Sequence, residues 1–250
     1  MVVPYMSGVA GPHECDKDGI KKIGGKMDTD PGILCFQHCG PVNIFCFELP
    51  IHCPVCGAPL ATVNFRLLPF RVPYPFVRAA QHPCSIVIKP TAGDFLNDYF
   101  NSKDLHIGVT DSKGMVVEFD RGGLQWTDAQ LWKQCLVLDG AAGPWSDHWD
   151  GTLSLVAQQD CWTSDGYNEA DFNCYTFVLS FLRSLRYGRL SEAADNRTEF
   201  CEKFIIPRTT AAGKYISLFR KLRQSQSKCY VYKMQQSTLG AGSPVAITAR

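Results

Sequence analysis

The chain of 250 residues is 45% hydrophobic and 20% charged, which is the balance of a folded globular protein. Lys and Arg together number 25 and Asp and Glu 24, so the net charge of +1 would not attract nucleic acid or an anionic membrane. No run approaches the ~20 apolar residues that cross a bilayer, so we expect neither a nucleic-acid partner nor a membrane span.

The first segment, residues 1–32, shows no period of 2 or 3.6 residues, which predicts a flexible leader. It lacks the charged start and apolar run of a secretory signal. The chain carries 12 cysteines, some of them single residues inside apolar runs such as Phe45-Cys46-Phe47. This usage favours reduced thiols, and we expect an intracellular protein of the cytoplasm or nucleus.

Residues 33–84 are expected to form a zinc-ribbon-like element followed by a proline-rich connection. A strand is predicted over 43–49, and behind it stands Cys53-Pro54-Val55-Cys56-Gly57, a knuckle whose tight turn aims two thiolates at one point. Tetrahedral zinc needs two further Cys or His ligands. Candidates before and after the knuckle are Cys35, His38, Cys39, His82 and Cys84. We predict one structural zinc ion on Cys39, Cys53, Cys56 and Cys84, with His38 as the substitute ligand.

Two other interpretations of the knuckle stay open. The cysteines can be plain thiols, or they can form a redox pair, although a thioredoxin-like pair opens a helix after a strand in a βαβ pattern and this one does not. Downstream, five prolines between 59 and 83 argue against a helix or a central strand over most of that stretch.

Four short runs rich in Val, Ile, Leu and Phe predict β-strands beyond the prolines, at 85–89, 105–110, 115–120 and 134–138. The second and third are separated by Asp111-Ser112-Lys113-Gly114, a turn-forming cluster that predicts an antiparallel hairpin. This hairpin carries His106 on one strand and Glu118 on the other.

The strongest helix prediction covers 174–185, where Phe177, Phe181 and Leu185 share one apolar face and Asn173 stands at the N-cap. Helices are also predicted at 150–158 and at 215–222, the latter amphipathic with basic residues between 214 and 223. Together these elements predict an α+β domain over 85–234, with an antiparallel sheet packed on a buried helix, and a flexible tail at 235–250.

Cys174 begins the buried helix, where the macrodipole and unpaired backbone amides stabilise a thiolate. With His106 to accept the thiol proton, the sequence holds the two parts that a cysteine nucleophile needs. Glu118 can orient the imidazole across the hairpin, with Asp111 and Asp120 as rivals. The alternative is that His106 binds a backbone carbonyl and Cys174 is a small apolar core residue.

A nucleophilic Cys174 would need a cleft, and four aromatic residues of the preceding segment are candidates to line it. They are Trp145, Trp149, Trp162 and Tyr167. In a merely structural site the same rings would pack over the sulfur and close it off.

The order of a His-x-Gly strand followed by a helix that opens Asn173-Cys174-Tyr175-Thr176-Phe177 resembles the circularly permuted papain-like enzymes, such as the PPPDE thiol peptidases and the lecithin:retinol acyltransferase-like proteins. The resemblance implies a permuted papain-like fold. It also implies that Cys174 attacks an acyl or isopeptide carbonyl while His106 takes the proton.

A second resemblance covers more of the chain, from about Cys35 to about Gln224. The segments 104–110, 173–175 and 202–209, together with the knuckle, are similar to the makorin-2 opposite-strand protein family. That family brings no activity and no catalytic residues that can be carried over.

Two functions therefore stay open, ahead of a nucleic-acid-binding zinc protein, which the balanced charge and the lack of aromatics among the basic residues disfavour. One is a thiol hydrolase of peptidase, isopeptidase or acyl-transfer type, acting on a protein or acyl substrate. The other is a catalytically silent, zinc-containing binding or adaptor module that holds a protein partner through the knuckle or the basic helix. The reactivity of Cys174 toward an alkylating probe separates the two, because an activated thiolate reacts at neutral pH far faster than a buried structural thiol.

Overall fold

Two antiparallel β-sheets and a set of α-helices make up the part of the chain that the structure describes, residues 32–62, 64–140, 145–186 and 188–233. The structure is a computed structural model. The predicted leader, apart from Gly32, and the predicted tail lie outside the described residues. No helix within these ranges is long and apolar enough to cross a bilayer.

The strands of the described residues follow one another as β1 (Leu34–Gln37), β2 (Val42–Cys46), β3 (Leu67–Arg71), β4 (Ser85–Pro90), β5 (Leu105–Thr110), β6 (Met115–Asp120), β7 (Gly123–Asp128), β8 (Leu136–Gly140) and β9 (Cys229–Lys233). The helices are α1 (Ser146–Ala157), α2 (Cys174–Leu185), α3 (Gly188–Glu192), α4 (Arg197–Phe200) and α5 (Ile206–Gln224). One π turn, Cys201–Ile205, joins α4 to α5, and 3₁₀ turns lie at Ala79–Gln81 and Ala129–Leu131.

The first sheet has four strands in the order β3-β1-β2-β9. The last described strand, β9, pairs with β2 along its whole length, so that Cys46 lies opposite Cys229. One face of this sheet buries a small apolar cluster that includes Phe36, Ile44 and Cys53. This sheet carries the knuckle.

The second sheet has five strands in the order β7-β6-β5-β4-β8, all antiparallel to their neighbours. The predicted hairpin is confirmed, with Gly108 of β5 opposite Glu118 of β6. The predicted α+β class with antiparallel strands is confirmed as well, although the strands form two sheets where the sequence predicted one.

Helix α2 packs on β5 and β6 and supplies the centre of the main core. Its apolar face, which includes Phe177 and Phe181, meets side chains such as Ile107 and Val117. The prediction of a helix over 174–185 is confirmed, and the predictions at 150–158 and 215–222 correspond largely to parts of the longer helices α1 and α5. Burial of this face holds α2 in place, because each buried Phe or Leu contributes about 1.5–3 kcal/mol.

The first residue of α2 is determined by a capping box. The Asn173 side chain accepts a hydrogen bond from the Tyr175 amide at 3.0 Å, and the Asn173 amide donates to Thr176 Oγ1 at 3.1 Å. Asn173 itself is extended, with φ −140°. Because these bonds satisfy amides that the helix leaves unpaired, the helix begins at Cys174.

The basic face of α5 is used inside the chain. Arg220 donates to the carbonyls of Leu96 and Tyr99, each at 2.7 Å, and Arg223 donates to Asn97 Oδ1 at 2.8 Å. These bonds tie α5 to the loop between β4 and β5. The structure therefore gives this helix an internal role, and its partner-binding role stays a prediction.

Candidate functional site

A His/Cys cluster that can hold a metal ion lies at the turn of the first sheet. His38 and Cys39 directly follow β1, and Cys53 and Cys56 come from the knuckle. The ligand atoms of these four residues all lie within 4.8 Å of one another. Cys39 Sγ is 3.8 Å from Cys53 Sγ, and Cys56 Sγ is 3.3 Å from His38 Nδ1.

The knuckle is a tight turn held by its own backbone. The Gly57 amide donates to the Cys53 carbonyl at 2.8 Å, and Gly57 has φ +75°, a conformation that favours glycine. The Val55 amide points at Cys53 Sγ at 3.4 Å. Burial raises the pKa of Cys53, but the amides of Cys56 and Val55, together with the side chains of His38 and Cys56, outweigh burial and lower it to about 7.

Cys84, which the sequence predicted as the fourth ligand, lies outside this cluster. Its amide donates to the Asp111 carbonyl at 3.3 Å just before β4, and its side chain belongs to the main core. Burial, with the charges of Asp150 and Asp111, raises the pKa of the Cys84 thiol to about 11. The chain between 59 and 83 carries Cys84 into the second sheet, so His38 takes its place in the cluster.

A second constellation lies on the β5–β6 hairpin. His106 Nε2 donates to Glu118 Oε2 at 2.8 Å, and both residues are buried, with exposures of 7% each. The two rival carboxylates instead accept hydrogen bonds from backbone amides of their own turns. Asp111 accepts from the Met115 amide at 2.7 Å, and Asp120 accepts from the Gly122 amide at 2.7 Å. Glu118 is therefore the carboxylate that orients His106.

The other oxygen of Glu118 has its own donors. Thr127 Oγ1 donates to Glu118 Oε1 at 2.7 Å, and Trp132 Nε1 donates to the same oxygen at 3.3 Å. Burial would raise the pKa of Glu118, but the His106 and Thr127 hydrogen bonds and the charges of Lys89 and His106 outweigh it and lower the pKa to about 2. The carboxylate is thus ionised at neutral pH.

Cys174 meets the imidazole from the N-terminus of α2. Burial would lower the pKa of His106, but its contacts with the Cys174 thiol and with Glu118 outweigh burial and raise the pKa to about 9. Because Nε2 is engaged by Glu118, Nδ1 is the ring nitrogen available to the thiol. A Cys174–His106–Glu118 chain of polar groups therefore runs from helix to sheet.

These polar groups lie near the N-terminal end of β5, the middle strand of the second sheet. Strand alternation places His106, Gly108 and Glu118 on the face away from the apolar side of α2, which packs on Ile107 and Val109. Pairing with β6 begins only at Gly108, so His106 lies beyond the stretch of β5 that pairs with β6, although it still pairs with Lys89 of β4. At that end of β5, the first residue of α2 comes into contact with the ring.

Aromatic rings pack beside this end of the sheet. Trp162, Tyr167 and Phe172 pack on Phe119, with ring centroids between 5.2 and 5.6 Å apart, and residue Cys174 is only 5% exposed. After burial, the charge of Cys174 is the largest cause that raises the pKa of Tyr167, which places this phenol near the sulfur.

Two of the four aromatic residues predicted to line a cleft lie elsewhere. Trp149 packs on Phe181 at 4.8 Å and donates to the Thr110 carbonyl at 2.8 Å, and Trp145 packs on His148. Both belong to α1 or its N-terminus, and α1 packs against α2.

Sequence reasoning missed Thr127 and Trp132. Thr127 lies on β7. The turn-forming run Asp120-Arg121-Gly122-Gly123 after the strand at 115–120 is a sequence signal for a second hairpin, and such a hairpin places Thr127 beside Glu118. No local signal indicates Trp132, which reaches Glu118 from a 3₁₀ turn.

Both candidate sites lie within matched family regions. Residues 31–60 match the DUF4796 N-terminal model, and residues 69–222 match the DUF4796 C-terminal model. The chain belongs to the DUF4796 family. The N-terminal DUF4796 match contains the His/Cys cluster, and the C-terminal match contains His106, Glu118 and Cys174.

The predicted relationship to the makorin-2 opposite-strand family is confirmed. The DUF4796 chain is 30% identical over 200 residues to the MKRN2 opposite strand protein of Homo sapiens. The aligned residues make up 79% of this chain and 88% of that relative. No solved structure matches the chain. Neither name states an activity.

Proposed function

We propose that the protein is a thiol hydrolase or acyl-transfer enzyme with Cys174 as nucleophile, His106 as general base and Glu118 as the residue that positions the base. The observation that supports it is the continuous Cys174–His106–Glu118 chain, in which one end of the imidazole is held by a carboxylate and the other faces a thiol. A nucleophile, a base and an orienting group in this order are the parts of covalent acyl chemistry.

In the proposed reaction, His106 has already taken the Cys174 thiol proton on Nδ1, because its pKa of about 9 keeps the ring protonated at neutral pH. The resulting thiolate attacks the carbonyl carbon of an ester, amide or isopeptide. The carbonyl oxygen becomes an oxyanion beside the Cys174 backbone amide, a donor at the first helical position without an intrahelical partner. Collapse expels the alcohol or amine, which takes the proton from the imidazolium. Water or a second acyl acceptor then cleaves the thioester.

The order of elements supports a permuted papain-like arrangement as part of this proposal. The base lies on β5 and the nucleophile follows on α2, and the sheet packs on the helix that carries the nucleophile. Because Cys174 is 5% exposed, the reaction also requires that the aromatic segment between α1 and α2 yields to substrate.

Alkylation of the purified protein tests this function. We expect an iodoacetamide probe at pH 7 to label Cys174 at a rate well above that of the buried thiol Cys135, which is 0% exposed, as mapped by mass spectrometry. His106→Ala should slow labelling about tenfold or more, because the imidazole sustains the thiolate, and Cys174→Ser should abolish it at that site. Equal labelling of wild type and His106→Ala would overturn the enzyme proposal and favour the binding or adaptor function.

For the His/Cys cluster we propose a structural zinc ion. Four ligands of the Cys₃His type suit zinc, and Zn–S bonds of ~2.3 Å at a tetrahedral angle separate two sulfurs by about 3.8 Å. The Cys39–Cys53 distance of 3.8 Å agrees with that value and is far from the ~2.05 Å of a disulfide. Bound zinc would fix the turn after β1 to the knuckle.

Elemental analysis of protein prepared without chelators tests the zinc proposal. We expect about one zinc per chain, retained in Cys84→Ser and lost or sharply reduced in His38→Ala and in Cys53→Ser. Metal-free wild-type protein would contradict the site, and loss of zinc from Cys84→Ser alone would restore the ligand set predicted from sequence.

A further inference from the structure

The carboxylate of Glu118 divides its two oxygens between two tasks. Oε2 accepts from His106, whereas Oε1 accepts from Thr127 at 2.7 Å and from Trp132 at 3.3 Å. A carboxylate with one free oxygen can rotate, so that either oxygen accepts the hydrogen bond from the histidine. Here the donors on Oε1 oppose that exchange, because both bonds would have to break.

The indole that reaches Oε1 is itself fixed on several sides. The Trp132 side chain is 1% exposed, and its carbonyl accepts from the Ala79 amide at 3.0 Å. Lys89, directly opposite His106 in the β4–β5 register, places Nζ 4.2 Å from the Trp132 ring centroid. The indole thus lies between a cation and the carboxylate.

Gly108 makes room for this indole. It lies opposite Glu118, and a Cβ at Gly108 would lie 3.2 Å from the Trp132 ring and 2.7 Å from Val116 Cγ1. The glycine of the His-x-Gly strand therefore belongs to the same arrangement as the histidine. Its role is to let Trp132 approach the sheet closely enough to donate to Glu118.

Stability alone does not account for such a network. A buried ion pair is often no more stabilising than apolar residues of similar volume, since both charges lose their hydration. The network does hold one ring in one orientation, with Nε2 on Glu118 and Nδ1 toward the thiol. A fixed ring orientation suits proton transfer at Nδ1, the ring nitrogen that faces the thiol.

We propose that Thr127 and Trp132 are positioning residues, which act through Glu118 Oε1 to orient His106 toward Cys174. The role rests on the proposed thiol chemistry, whereas the orientation of His106 is measurable without it. Neither residue would touch substrate. The groups that face the pair are Lys89 from β4, Thr127 from β7, Trp132 from the 3₁₀ turn and Cys174 from α2, with Cys135 near Lys89 and Glu118.

Nuclear magnetic resonance of ¹⁵N-histidine protein tests the orientation directly. The chain has 6 histidines, and His106→Gln identifies the signal of His106. We expect wild type to show a ring that stays protonated up to about pH 9 and that, once neutral, keeps its proton on Nε2. In Thr127→Val and Trp132→Phe, the carboxylate is no longer held, so the midpoint should fall by about one pH unit or more and both tautomers should appear.

Alkylation of the same proteins tests the link to Cys174. Labelling at pH 7 should slow about tenfold in Thr127→Val and recover in Thr127→Ser, which keeps the hydroxyl. Trp126→Phe is the matched control, because Trp126 precedes Thr127 on β7, is 45% exposed and points to the other face. It should leave both the His106 midpoint and the labelling rate unchanged.

The outcomes separate the two proposals. An unchanged His106 midpoint and tautomer in both Thr127→Val and Trp132→Phe, with wild-type labelling intact, would overturn the positioning role and leave the enzyme proposal standing. A shifted midpoint in a protein whose Cys174 never labels would support the positioning of His106 and overturn the thiol chemistry. Thr127→Val keeps the test sound if Trp132→Phe fails to fold.

Discussion

Glu118 binds His106 diagonally across the β5–β6 hairpin: Nε2 and Oε2 are 2.8 Å apart, although the residue directly opposite Glu118 is Gly108. Diagonal neighbours on a sheet lie within reach of long side chains. The diagonal contact leaves the space over Gly108 to the Trp132 ring. The same β5–β6 register thus allows the His106–Glu118 hydrogen bond and the hydrogen bond from Trp132 to the other oxygen of Glu118.

Protein stability should depend on pH through His106. Its pKa in the folded protein, about 9, exceeds the ordinary value of 6.5, so its contribution is fully present below about pH 6.5 and is lost as the pH rises through 9. We expect the free energy of unfolding to fall by about 2–3 kcal/mol over that window. Urea unfolding at pH 6, 7.5 and 9 measures it.

Burial also raises the pKa of other groups in the folded protein, among them the Cys84 thiol to about 11, so the wild-type profile is not due to His106 alone. The decisive quantity is the difference between wild type and His106→Gln. In His106→Gln, most of the fall in the free energy of unfolding with rising pH should disappear. Parallel pH profiles for the two proteins would show that His106 is neutral in the folded state at pH 7.

Cys174→Ser should leave stability nearly unchanged. The hydroxyl takes the place of the thiol beside the His106 ring, so it keeps a polar partner, and we expect the thermal midpoint within a few degrees of wild type. Cys46→Ser is the comparison, since Cys46 is 0% exposed in the apolar cluster of the first sheet. A hydroxyl there costs about 1–3 kcal/mol, which calorimetry detects as a clear fall in the midpoint. A similar fall in both variants would argue that Cys174 is only a core residue.

Removal of the metal should loosen the first sheet selectively. Cys53 packs with Phe36, Ile44 and Cys229, so a knuckle that loses its ion uncovers that cluster. Hydrogen exchange after treatment with a chelator should show faster exchange in β1, β2, β9 and 53–60, with α2 still protected. Cys84→Ser should respond as wild type does. Equal loss of protection in α2 would mean that both sheets unfold as one unit.

Gly108→Ala should destabilise the protein by about 1–3 kcal/mol, since the added Cβ meets Val116 Cγ1 at 2.7 Å in a closely packed layer. Gly151→Ala is the opposite case, because nothing lies within 4 Å of a Cβ there and Gly151 is inside α1. That change should stabilise by about 0.5–1 kcal/mol. Thermal unfolding of the two variants gives the comparison, and a Gly108→Ala protein as stable as wild type would contradict the tight contact.

Local patterns predicted the parts of the fold that local interactions determine. The hairpin of β5 and β6 combines two apolar runs with a turn-forming tetrapeptide, and α2 combines a strong apolar face with an Asn cap, so both agree with the structure at their ends. The contact of Glu118 with His106 followed from that hairpin. These elements carry the proposed nucleophile and base.

Interactions between distant segments were not accessible in this way. β3 contains Pro69 and mostly exposed side chains, which an edge strand tolerates but which argue against a strand in sequence. The choice of His38 over Cys84 depends on where the chain goes between 59 and 83, and ligand type alone cannot decide it. Trp132 joins Glu118 through a turn that has no periodic signal.

The position of β9 has a consequence for how the chain folds during synthesis. This strand begins at Cys229, yet it pairs with β2, which ends at Cys46, and it completes the cluster around Cys53. Most of the chain must leave the ribosome before the apolar cluster that packs against Cys53 is complete. Pairings of such long sequence separation form slowly, because the loop that they close loses much entropy. The second sheet, built largely from neighbouring strands, is then free to form first and to offer α5 as the support from which β9 reaches back to β2.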